Sequence, residues 1–144
     1  MQAAALAPCW SAGKGEPRYI GVPRSGLAHR DRFILCRGDR RIDGELLLFS
    51  SVTGEAFPTA ANRTLLMEGP EGLVPDTFAH EQDLLVTAEG KAVLIAGCAH
   101  RGIVNILRRC EELLGRSPDY LFAGFHLHDP ATGRPEPEAL LRAV

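Results

Sequence analysis

Lys91-Ala92-Val93-Leu94-Ile95-Ala96 runs directly into Gly97-Cys98-Ala99-His100-Arg101-Gly102-Ile103-Val104-Asn105. The first six residues are an apolar, β-branched run of strand length. Ile103-Val104-Asn105-Ile106-Leu107 then opens an amphipathic helix, with Ile103, Ile106, Leu107, Cys110, Leu113 and Leu114 at helical spacing and Arg108, Arg109, Glu111 and Glu112 on the other face;. Cys98 and His100, both metal-capable, thus fall in the turn between a strand and a helix. Layered α/β proteins gather their chemistry at such carboxyl ends of strands, where loops point side chains into a crevice.

Working outward, Asp83–Thr87 and Ala92–Ala96 flank a short glycine-containing connection and predict a hairpin;. Gly115 stands where a helix C′ residue belongs;. Tyr120-Leu121-Phe122-Ala123-Gly124-Phe125 predicts a further buried strand, ending at His126. His128 to Pro137 reads as a loop, and Pro137 to Val144 as a helix with proline in its first turn;.

The first half is less regular. Gly13, Gly15, Pro17, Gly21, Pro23 and Gly26 interrupt residues 1–32;. Arg18–Pro23 predicts a short extended piece, Arg32–Arg37 a strand, and Arg63–Met67 another. Arg40–Phe49 predicts a turn at Asp43-Gly44 leading into a strand;.

The chain has 144 residues, 45% of them hydrophobic and 24% charged, the balance of one globular domain;. A net charge of -2 argues against nucleic acid as a partner;. No apolar run is long enough for a membrane span;. Met1–Cys9 lacks a basic start and a full apolar segment, so no secretory leader is expected and the chain reads as cytoplasmic;. Cysteines 9, 36, 98 and 110 form no C-x-x-C pair, and Cys9, Cys36 and Cys110 are expected to pack as reduced, small hydrophobes;.

From spacing alone, His100 reads either as a metal ligand or general base at a strand end, or as a residue bonded within a turn. Cys98 either ligates or packs, and strand alternation would put it on the side of His100. His126 has the same two readings. His128 is more exposed in pattern, His80 leads polar residues into a strand and faces water, and His29 has no supporting context. Glu81 and Asp83 read as solvated carboxylates. Neither a dinucleotide fingerprint, a P-loop nor a nucleophile elbow occurs;.

Three ordered segments add a family resemblance. They are Asp76-Thr77-Phe78-Ala79-His80-Glu81-Gln82-Asp83-Leu84, Gly97 to Asn105, and Ala123-Gly124-Phe125-His126-Leu127. They resemble the D-x-F-x-[DH]-E-Q-x-L, G-C-[SA]-H-x-G-[IV]-x-N and G-G-F-H-L segments of metallo-β-lactamase-fold hydrolases. The match is to the branch that includes the dihydropterin–ribofuranosylaminobenzene phosphate synthases, and residues 60–128 carry it best. The resemblance implies an α/β fold, part of an αββα sandwich with mixed sheet. It implies metal-dependent hydrolysis or a related transfer on a phosphate-bearing or pterin-like small molecule, with a divalent metal, zinc or manganese. Carried over residue by residue, it makes His100 and His126 metal-site positions and Cys98 a site-lining residue, and it assigns no catalytic residue.

Two family motifs do not occur in the sequence: the early H-x-H-x-D-H and the late H-C-T-G. The expectation is a single domain, residues 1–144, corresponding to the middle-to-C-terminal portion of a longer one. His100, His126 and Cys98 are too few to cage an ion, since a catalytic zinc has three protein ligands and a water. Metal binding by this chain alone is therefore expected to be weak or absent. A partner chain or a further segment would complete the site, and the alternatives are a non-catalytic remnant or a plain α/β module.

Overall fold

A computed structural model describes every residue except Lys14, Pro130, Ala131, Pro137 and Val144. Its strands and helices in chain order are β1 (Cys9–Ser11), β2 (Arg18–Tyr19), α1 (Arg24–Leu27), β3 (Arg40–Arg41), β4 (Leu46–Ser50), β5 (Leu65–Gly69), β6 (Gly72–Pro75), β7 (Gln82–Ala88), β8 (Lys91–Ile95), α2 (Ile103–Leu114), β9 (Tyr120–Phe122), β10 (His128–Asp129), β11 (Arg134–Pro135) and α3 (Glu138–Ala143). Short 3-10 turns occupy Ala3–Leu6, Arg30–Arg32 and Ala60–Thr64.

The main sheet has five strands in the order β3-β4-β7-β8-β9. All its pairings are antiparallel except β8 with β9, which is parallel. Such a parallel pair needs a crossover, and α2 supplies it. Leu47, Leu85, Leu94 and Leu121 stand in register across four strands, so one face carries a continuous leucine row. Phe49, Ala92, Leu94, Ile103, Ile106 and Cys110 are wholly or almost wholly buried and form the core with Leu47, Leu85 and Val52. The helical spacing of Ile103, Ile106 and Cys110 puts them on the stripe of α2 that faces this sheet. Each large apolar side chain buried here contributes about 1.5–3 kcal/mol. Gly115 ends α2 in the left-handed region at φ 77°, its N–H donating to Glu111 O.

A second sheet, β2-β1-β5-β6, is antiparallel throughout. Trp10 and Tyr19 face each other across β1 and β2 with rings edge to face. Both sheets and the helix α2 make a mixed α/β architecture. Among the described residues, no helix is long and apolar enough to cross a membrane.

The predicted hairpin, helix and C′ glycine match β7, β8, α2 and Gly115. Cys9, Cys36 and Cys110 are buried, as expected. Other expectations differ. Arg32–Arg37 is not a strand: Arg30–Arg32 is a 3-10 turn, Ile34 is 66% exposed, and Cys36 makes one isolated bridge to Gln2. The strand predicted over Tyr120–Phe125 ends at Phe122, and as a sheet edge it leaves Tyr120 and Phe122 exposed. Inside the predicted loop after His128, β10 and β11 pair as a small ribbon. The predicted helix-opening Pro137 and the last residue, Val144, lie outside the described residues, and α3 spans Glu138–Ala143.

Candidate functional site

The parallel pair β8–β9 determines where the two site histidines end. Backbone pairing continues past both strands: Ala96 N–H donates to Phe122 O at 2.9 Å, and Gly124 N–H to Gly97 O at 2.7 Å. The two chains therefore leave the sheet side by side. His100 and His126 meet there edge to face, ring centroids 4.4 Å apart. Ala99 and His126 both have positive φ, 55° and 48°, a conformation that costs non-glycine residues energy and concentrates at functional sites;.

His100 is held on every side. Its ring stacks on Phe78 at 4.9 Å. Its Nδ1 lies 3.1 Å from Asn62 Oδ1, while Asn62 Nδ2 donates to His100 O at 2.7 Å. An amide oxygen only accepts, so this contact assigns the proton to Nδ1 and leaves Nε2 a bare lone pair. Burial, with His126 and His80 nearby, lowers the His100 pKa to about 4, so the ring is neutral at pH 7. Burial also lowers the His126 pKa, and His126 Nε2 is buried without a hydrogen-bond partner among the described residues.

The turn carrying His100 is fixed by Glu81. One carboxylate oxygen accepts from His100 N–H at 2.7 Å and the other from Arg101 N–H at 2.9 Å. Arg101 Nε donates to Val52 O and Nη1 to Thr77 O. Asn105, buried in the first turn of α2, clamps the segment before it: Nδ2 donates to Ala56 O and Arg101 O, and Oδ1 accepts from Ala56 N–H. Glycine is required on both sides of that clamp. A Cβ on Gly54 would sit 2.7 Å from Asn105 Oδ1, and Gly102 has φ +87° with Asn105 Nδ2 3.0 Å from a Cβ position.

Two cavities open onto this corner. One, of about 280 Å³, is lined by Cys9, Val22, Asp76, Phe78, His80 and His100. The other, of about 300 Å³, is lined by Asn62, Asp76, Phe78, His100, Arg101 and Asn105 among others.

The structure thus brings His100 and His126 together. Strand alternation does not extend to Cys98: β8 ends at Ile95, and Cys98 is exposed in the turn. His128 and His29 are exposed. Glu81 and Asp83 are not solvated carboxylates. Glu81 anchors the His100 turn, and Asp83 is 1% exposed on the core face of β7. Nor does His80 simply face water: Nδ1 lies 3.7 Å from Asp76 Oδ1, its side chain 29% exposed. Asn62 carries no motif, and its role follows from a 3-10 turn that sequence periodicity does not register. The buried Glu136 carboxylate caps that turn by accepting from Ala60 N–H at 2.8 Å.

No protein-family model matches the chain, and no curated protein matches it. The crystal structure of Tm1679, a metal-dependent hydrolase of the beta-lactamase superfamily, is similar to it, with a TM-score of 0.74 and 25% sequence identity. The alignment covers 99% of this chain and 53% of Tm1679, so the chain spans about half the length of that structure. The mixed α/β architecture of this chain is similar to part of that structure.

Proposed function

We propose that this chain forms part of a metallo-β-lactamase-fold hydrolase, or a related transferase, acting on a phosphate-bearing or pterin-like small molecule. The observation that carries the reading is the His100–His126 pair at the ends of parallel β8 and β9. Two neutral imidazoles, one with a bare Nε2 and the other with a buried Nε2 that has no partner among the described residues, fit a metal's donor set;. His100 and His126 would hold a zinc or manganese ion, and Cys98 would line the mouth. When bound, such an ion polarises a phosphoryl or carbonyl oxygen and activates water.

The chain's own residues do the rest. Asn62 fixes the His100 tautomer and ring plane, the role outer hydrogen bonds play around metal-bound imidazoles. Glu81 rigidifies the turn. Arg101, on the rim of the second cavity beside the start of α2, supplies positive charge for a phosphate;. The cysteines are all free, which suits a reducing cytoplasm;.

Two imidazoles fall short of the three protein ligands of a catalytic zinc. We therefore place the remaining ligands outside these 144 residues, in a partner chain or a further segment that also completes the αββα sandwich. The dihydropterin–ribofuranosylaminobenzene phosphate synthase-like branch is supported by the three sequence segments that converge here: Asp76–Leu84, Gly97–Asn105 and Ala123–Leu127.

Residue-resolved NMR tests the pair. Adding Mn²⁺ to the chain should broaden the His100 and His126 imidazole signals together, at loose affinity. Undisturbed imidazoles at high metal concentration would end the reading. So would metal bound there just as well after His100→Ala and His126→Ala.

A further inference from the structure

Apart from the histidine pair, a second set of metal-capable side chains converges. Cys9 comes from β1, Asp76 from the residue after β6, and His80 from the turn into β7. One ligand atom from each lies within 4.8 Å of the others. We propose that Cys9, Asp76 and His80 form a binding site for a borderline-soft divalent cation, zinc in particular, with an open fourth position on the cavity shared with His100.

The donor chemistry selects the ion. One sulfur, one imidazole nitrogen and one carboxylate oxygen suit zinc or cobalt, whereas magnesium and calcium take all-oxygen shells. Three protein ligands and an open position is the pattern of a reactive zinc rather than a closed structural one. A tetrahedral ion with zinc's bond lengths spaces its donors about 3.3–3.8 Å apart. His80 Nδ1 and Asp76 Oδ1 already stand at 3.7 Å. Closing the remainder takes small side-chain rotations.

The fold prepares the ligands. Phe78 N–H donates to Asp76 Oδ1 at 2.7 Å, which orients the carboxylate. Cys9 is buried on β1, with its Sγ 3.6 Å from Ala7 O. All three residues line the cavity of about 280 Å³ that also receives His100, and the fourth position opens there. The expectation of weak or absent metal binding counted only His100, His126 and Cys98. It missed this set because Cys9 is far from the other two in sequence.

Cobalt substitution tests the site in the intact, metal-stripped chain. Co²⁺ should bind with a single equivalent and give a sulfur-to-metal charge-transfer band, and Zn²⁺ should displace it. Cys9→Ser should abolish the band. His80→Gln and Asp76→Asn should weaken binding at least about tenfold, the cost of disturbing even the hydrogen-bond partners of metal ligands. Asp76→Asn keeps an acceptor for Phe78 N–H, so its loss of binding reports the ligand rather than the turn. Circular dichroism of each variant confirms the fold. Cys98→Ser and the double variant His100→Ala/His126→Ala should keep the band. That separates this site from the histidine pair, because failure of the pair leaves the band intact. No band with wild-type protein, or a band lost in Cys98→Ser and kept in Cys9→Ser, would overturn the proposal.

Discussion

The two sheets of this protein hold metal-capable side chains in different ways. In the five-stranded sheet, the central strands β4, β7 and β8 and one twelve-residue helix form a leucine-rich core, and the site histidines follow the ends of two paired strands. In the four-stranded sheet, β1 has three residues and β2 has two, and Cys9 reaches Asp76 and His80 across segments distant in the chain. The first arrangement is set by local pattern and buried area. The second depends on long-range pairing whose register a few hydrogen bonds maintain. Rigidity at His100 should therefore follow the core, and geometry at Cys9 should follow the second sheet.

The strongest way to break this comparison is through the core. Phe49 is fully buried beneath α2. Phe49→Ala should cost about 3–5 kcal/mol, the range for a large aromatic removed from a packed interior. Denaturant unfolding measures it. A loss under about 1 kcal/mol would mean that the five-stranded sheet is not the dominant source of stability.

A more local probe is Asn105→Ala. It removes three hydrogen bonds that join α2 to the segment at Ala56 and to Arg101. At about 1 kcal/mol net per bond, the expected loss is about 2–3 kcal/mol. The His100 signals should shift while those of Cys9 stay. If both shift equally, the two regions are one mechanical unit and the contrast fails.

Asp83 sharpens the comparison through pH. Its carboxyl faces the core of the five-stranded sheet with neither oxygen hydrogen-bonded among the described residues, and burial with the Glu81 charge raises its pKa to about 7. Cys110 on α2 packs near it and feels its charge. In the unfolded chain an aspartate titrates near 4. Between those values the folded state binds a proton that the unfolded state has lost, so stability falls as pH rises through this window, by up to about 1.4 kcal/mol per unit. Above it the penalty is complete. Asp83→Asn, neutral and of the same shape, should flatten that slope. Its advantage over wild type should grow by about 2–3 kcal/mol between pH 5 and pH 8 and vanish only below the unfolded value near 4. Melts at the two pH values decide it, and a wild-type stability that rises from pH 5 to 8 would refute it.

How much was visible beforehand follows the same division. The hairpin β7–β8, α2 and its Gly115 stop were readable because a single period runs through each segment. The strand–helix–strand order of β8, α2 and β9, with the two strands parallel, is what brings His100 and His126 to one edge;. Ile34 and Leu35 misled, because an apolar run predicts a strand only where a neighbour covers it, and here both side chains are exposed. Tyr120 and Phe122 misled similarly: their pattern is that of a strand, but an edge position leaves them open. Asn62, Glu81 and the Cys9–Asp76–His80 set were not readable as working groups, since each acts through partners that only the tertiary fold supplies. Asp83 was misread for the opposite reason. A carboxylate in a polar lead-in normally meets water, and here the pairing of β7 with β4 turns it inward beside Phe49's register position.

The smallest effect belongs to Asp119, which fastens the start of β8 to the approach of β9. Its carboxylate accepts from Ala92 N–H at 2.8 Å, and its own N–H donates to Ala92 O. Lys91 and Arg116 pair with it as well. The Ala92 hydrogen bond first, then those cations, hold this carboxyl well below the usual carboxylate range. A depressed pKa contributes stability that is complete above the unfolded value near 4 and fades as pH falls through it. Because the group is solvated, salt and water screen the ion pairs, and the contribution is modest. Asp119→Asn should therefore lower stability slightly at neutral pH, and less so at high salt, with the difference from wild type shrinking as pH falls through the acid range. The same change loosens the base of the β8–β9 pair. Amide exchange at Gly124, whose N–H bonds to Gly97 O next to the site, should quicken more than exchange at Met67 in the second sheet. Equal acceleration at both would show that the fastening acts on the whole molecule rather than on the strands that present His100 and His126.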